Sequence, residues 1–160
     1  MSTVKAIRIS KIALLIGALL VASSAFASEK DNCVAVGGTF LTNVGGFGAN
    51  TTLGVITGDL KGAVGVQILG ESSGPNGTTI ISVQHHLVTE TGDTVFIDPA
   101  NAIGVFVAPG LFALTNYKIH LSGGTGKYKD ASGDMSAIGE ADFNAGQLIG
   151  RYTGQICFAK

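Results

Sequence analysis

The chain lacks tryptophan, has only two cysteines, three prolines and three histidines, and carries charge at just 13% of its 160 positions. Each scarcity removes a class of function. Two cysteines are too few for a disulfide-dense scaffold or a cysteine-built zinc cluster. Two of the three histidines, His85 and His86, are adjacent, and neighbours on a strand face opposite ways, so three imidazoles do not converge on a metal. Basic residues are sparse and unclustered. Lys5, Arg8 and Lys11 all precede Ala27, which leaves 7 basic against 11 acidic residues after it, a formal charge of −4. That balance argues against nucleic acid or an anionic membrane as partner. Beyond Ala27 no apolar run is long enough to span a bilayer as a helix.

What precedes Ala27 reads as an export signal. The three cations form a basic start, Ile12 to Ala22 is an apolar run of signal-peptide length, and Ser23-Ser24-Ala25-Phe26-Ala27 ends in a small-x-small cleavage pattern. Residues 1–27 are therefore expected to be a signal peptide and residues 28–160 a single mature domain, secreted or periplasmic. In an oxidising compartment an isolated pair of cysteines reads as one disulfide, here Cys33 with Cys157, tying the first strand to the last.

Glycine is the abundant residue, 24 in all. The glycines punctuate runs of β-branched and aromatic residues, and no window of the mature chain keeps an uninterrupted 3.6-residue apolar period. The pattern predicts strands over Val34 to Val44 (with Gly37-Gly38 a bulge), Leu53 to Thr57, Lys61 to Leu69, Thr78 to Thr89, Thr94 to Ile97, Ile103 to Val107, Leu111 to Leu121, Met135 to Phe143 and Gln147 to Phe158. Gly70 to Gly77 is expected to be a loop. So many hairpins without a helix predict an all-β fold of about eight antiparallel strands, closed into a barrel because closure removes exposed edges.

Between two of these strands lies Gly123-Gly124-Thr125-Gly126-Lys127-Tyr128-Lys129-Asp130-Ala131-Ser132-Gly133. Its glycines superficially resemble a phosphate loop. The glycine required five residues before Gly-Lys is Leu121, the hydroxyl required after it is Tyr128, and no helix follows, so a bent strand connection is the better reading. Gly-Gly-Thr-Gly-x-aromatic-x-x-Ala-x-Gly resembles the signature turn of the allene oxide cyclase and dirigent barrels. Gly92-Asp93-Thr94 fits that pattern, and Gly150-Arg151-Tyr152-Thr153-Gly154-Gln155-Ile156-Cys157 is similar to the closing strand of secreted bacterial relatives. The resemblance implies an eight-stranded barrel with an apolar cavity and, by analogy with plant members, a homotrimer. Ser132 stands where many dirigent members carry arginine. Their radical-coupling activity is not transferred on that ground.

Few residues carry chemistry. Ile81, Val83, His85 and Leu87 alternate on one face, which points His85 inward and His86 outward; His120 also reads as outward. On the last strand Leu148, Tyr152, Ile156 and Phe158 share a face with Gly150 and Gly154, an alternation that suits an interior with room in it. His85, Tyr117 and Tyr152 are thus the candidate polar groups of a cavity. Glu140 and Asp142 share a strand face that reads as solvated. No cofactor or metal is implied. The expected function is binding of a small apolar or phenolic molecule without transforming it. The alternatives are a cyclase or isomerase of the allene oxide cyclase type acting on an unsaturated lipid epoxide, and a structural protein with a filled core.

Overall fold

The computed structural model describes residues 32–159; the expected signal peptide and its cleavage site lie outside the described residues. Nine strands follow one another: β1 (Asn32–Val44), β2 (Thr51–Ile56), β3 (Gly62–Ser73), β4 (Thr79–Thr89), β5 (Thr94–Ile97), β6 (Ala100–Ala108), β7 (Leu111–Gly124), β8 (Ser132–Asp142) and β9 (Gln147–Phe158). Among the described residues the remaining regular structure is three single 3-10 turns, and no helix is long and apolar enough to cross a membrane.

All pairings between the strands are antiparallel, mostly between sequence neighbours, and β9 returns to pair with β1, so the sheet closes. β5 and β6 share one position, since both lie between β4 and β7. They are one strand interrupted at Asp98-Pro99, where proline has no N–H to give the ladder. Nine strands therefore fill eight positions of a closed antiparallel barrel. The period-2 alternation sorts side chains as expected: on β4, Ile81, Val83, His85, Leu87 and Thr89 are buried.

Cys33 and Cys157 face each other in the β1–β9 register and form the disulfide at the seam that closes the barrel. Cross-linking residues 124 apart in sequence removes about 4–5 kcal/mol of denatured-state entropy in the chain-entropy model.

The glycine motif is a barrel turn. β7 runs through Gly123 and Gly124, the chain tightens over Gly126–Tyr128, and β8 begins at Ser132. Gly126 has φ +52°, and a side chain there would strike the Asp93 carboxylate, so glycine is required on both counts. Thr125 fastens the turn to β5: its N–H donates to the Thr94 carbonyl at 2.9 Å, and its Oγ1 accepts from Thr94 N–H at 2.8 Å. Tyr128, 1% exposed, packs against Phe158 and helps fill that end of the barrel.

Three expectations are corrected. The β1–β9 register runs unbroken through Gly37 and Gly38, so there is no bulge there. Bulges occur instead at Ile68/Gly70, Phe96/Ile97, Phe106/Ala108 and Leu114/Tyr117. Gly70 to Ser73 is strand, because pairing with Thr79–Ser82 carries β3 past its bulge, and only Pro75–Gly77 turns. The space opposite the glycines of β9 is filled rather than open: the Phe40 ring lies over Gly150 and Met135 over Gly154.

Candidate functional site

The barrel encloses a cavity of about 90 Å³. Exposure rises from 1% at Leu60 and Leu87 to 40% at Phe143, so its wall runs from a closed floor to an exposed rim. The floor is made by the turn between β2 and β3. Leu60 is driven into the barrel there, and two contacts hold it: its N–H donates to the Tyr152 hydroxyl at 3.0 Å, and that hydroxyl donates to the Thr57 carbonyl at 2.8 Å. Asp59 adds a third anchor, accepting from Gly37 N–H at 2.8 Å.

All three candidate residues line the cavity, in two different capacities. The ring of Tyr152 forms wall, while its hydroxyl is occupied by the floor turn; burial raises its pKa above the usual phenol value. His85 and Tyr117 meet across the interior, Tyr117 Oη lying 2.5 Å from His85 Nε2. Burial, with a smaller contribution from neighbouring His86, lowers the His85 pKa to about 4, and burial raises that of Tyr117. Both are neutral at neutral pH. His86 and His120 are exposed, as the alternation predicts, and His120 pairs with Asp134 at 2.9 Å. Glu140 is exposed on the outer face, while Asp142 caps the following turn by accepting from Asn144 and Ala145 N–H.

Tyr117 faces inward with Ile119 and Leu121, as alternation predicts, and a bulge just before it brings Leu114 onto the same face. Leu114 and Tyr117 both face inward although they are three positions apart, which regular alternation would put on opposite faces. Leu114 pairs with Gly139 and Tyr117 with Ala137, so β7 carries one extra residue, and Asn116 takes a left-handed φ of +47° to absorb it. A bulge of this kind re-aims the side chains after it.

Three buried polar atoms have no hydrogen-bond partner among the described residues: His85 Nδ1, Thr42 Oγ1 and Thr52 Oγ1. All three residues line the cavity. Thr42 and Thr52 escape sequence reasoning because threonine is an ordinary strand former. The available signal is that Thr42 shares the inward face of Phe40. Among the described residues no charged side chain lines the cavity, and no cluster of His, Cys, Asp or Glu is arranged to hold a metal.

These features define a closed antiparallel barrel with a largely apolar interior, interrupted by one neutral His–Tyr pair and two threonines. No family model matches the chain, and no curated protein does. Among solved structures it is similar to one described as a pterocarpan synthase dirigent protein, at 16% identity over 84% of this chain and 90% of that one, with a TM-score of 0.36. The barrel is closed by the sheet order itself, with β9 paired to β1.

Proposed function

We propose that the protein is an exported barrel that binds a small, predominantly apolar molecule in its interior. The carrying observation is the cavity wall, apolar from Leu60 to Phe143 and free of charged side chains. A volume of about 90 Å³ lies well below the roughly 300–1,000 Å³ of pockets for drug-sized ligands, which favours a guest of a few heavy atoms over a long-chain lipid epoxide. The disulfide is compatible with an oxidising destination, secreted or periplasmic. Calorimetric melting of the mature protein with small hydrocarbons tests the reading. A guest should raise Tm, and Ala102→Leu or Ala141→Leu, each filling the wall from a different strand, should abolish the rise. An unchanged rise in both variants would place the guest elsewhere.

A self-associated state is also proposed. Ile149, Leu41, Val55, Ala63 and Val88 are successive register partners across the outside of β9, β1, β2, β3 and β4. The four large ones are 42–54% exposed, a continuous apolar band of the kind that marks an interface. Sedimentation should give a multiple of the monomer mass for the native protein and monomer for Val55→Lys.

A further inference from the structure

We propose that the open end of the barrel is a docking surface for a zwitterionic lipid surface, entered by the exposed apolar tips of that end and led by Phe47 and Phe106.

The up-and-down strand order puts alternate turns at the same end. The β1–β2, β3–β4, β6–β7 and β8–β9 turns surround the exposed rim of the cavity, and the β2–β3, β4–β5 and β7–β8 turns surround its floor. The two ends differ in charge. The floor turns carry Asp59 and Lys61, Glu90 and Asp93, and Lys127, Lys129 and Asp130. The rim turns, residues 45–50, 74–78, 109–110 and 143–146, carry no charged residue. Glu71, Glu140 and Asp142 lie in the adjoining strands, and Asp142 already accepts from the Asn144 and Ala145 N–H groups.

Where charge is missing, large apolar side chains stand in water. Phe47, between β1 and β2, is 75% exposed, Phe106 58%, Val107 56% and Phe143 40%. Phe106 and Val107 lie at the end of β6 beside its turn into β7, and Phe143 opens the β8–β9 turn. The Phe106 and Phe143 rings each meet Phe112 edge-to-face at 5.9 Å, so three rings brace one another across the rim. Clustered exposed apolar groups mark a surface that something covers. Inserting these tips into lipid dehydrates no charge in the turns that carry them. A protein partner has to match the shape of the face it covers. Separate tips around an opening give no continuous face to match, and fluid acyl chains need none.

The charge pattern also fixes the kind of lipid. Anionic headgroups are held by basic clusters, and no lysine or arginine lies in a rim turn, so the tips have no electrostatic preference for them. Docked this way, the barrel stands with its charged floor turns in water and the mouth of its cavity against the acyl region. An apolar guest then reaches the interior without crossing water. That consequence rests on the interior-binding reading, whereas the docking itself does not.

Flotation of the disulfide-bonded mature protein with vesicles of phosphatidylcholine, alone or mixed equally with phosphatidylglycerol, tests the surface without any guest. The protein should float with both, with similar affinity at low and high salt. Phe47→Ser and Phe106→Ser should each weaken binding about five- to tenfold, and the double variant should stay in the aqueous phase. Phe96→Ser removes a comparably exposed ring, 50%, from the outside of β5 near the floor, and should change nothing. An equal loss in Phe96→Ser, binding confined to the phosphatidylglycerol vesicles, or no binding at all would overturn the proposal. So would a native oligomer that Phe47→Ser or Phe106→Ser converts to monomer in lipid-free sedimentation, which would assign this end to a second copy of the chain.

Discussion

Tyr117 and His85 are joined through the hollow of the barrel, not along its wall. Oη of one lies 2.5 Å from Nε2 of the other, and the strand position shared by β5 and β6 separates β7 from β4. The bond holds two polar groups inside an apolar shell, so its protonation state is coupled to folding.

The His85 pKa falls from 6.5 to about 4 on folding, so between those values the unfolded chain binds a proton that the folded one refuses. The resulting stability is complete above pH 6.5 and is lost as pH falls towards 4, by up to about 3 kcal/mol. Urea unfolding at pH 7.5, 5.5 and 4.5 should show that decline in the native protein. In the double variant His85→Phe with Tyr117→Phe, which removes both polar partners together, the decline across this window should be markedly smaller. Equal declines would mean that His85 is not held neutral by the fold.

Tyr152→Phe should detach the floor. The substitution keeps the ring in the wall but orphans Leu60 N–H and the Thr57 carbonyl. A loss of about 1–3 kcal/mol in urea unfolding is expected, together with faster amide exchange at Leu60. Unchanged exchange at Leu60 would show that packing alone holds the turn in place.

Thr42→Val and Thr52→Val should each leave the empty protein as stable as before or more so, by up to about 1 kcal/mol, since each removes an unpaired buried hydroxyl and keeps the shape. Destabilisation of both variants by more than about 1 kcal/mol would indicate that the hydroxyls already have partners.

Much of the architecture is legible in the residues because a barrel strand repeats a simple rule. β9 follows Gln147–Phe158 from alternation alone, and His85 is placed inward by the same rule. The rule fails wherever a residue is inserted. Tyr117 falls inward by alternation with Ile119 and Leu121, but Asn116, whose left-handed conformation brings Leu114 onto the same face, has no special appearance in sequence. The glycines of β9 suggest empty space, but Phe40 and Met135 arrive from neighbouring strands to fill it, and no single-strand pattern contains that information. Leu60 is likewise invisible as a plug, since its burial depends on Tyr152, 92 residues away. Cys33 and Cys157 are the opposite case. With only two cysteines, the pairing is already determined once the compartment is oxidising.

Xenon pressurisation of crystals of the mature protein tests the hollow interior most directly, because xenon enters apolar cavities without needing a polar partner. A xenon site inside the barrel, between His85 and Met135, is expected in the native protein, and its loss in Ala102→Leu. A native barrel free of internal xenon would contradict the proposal that the interior receives a guest.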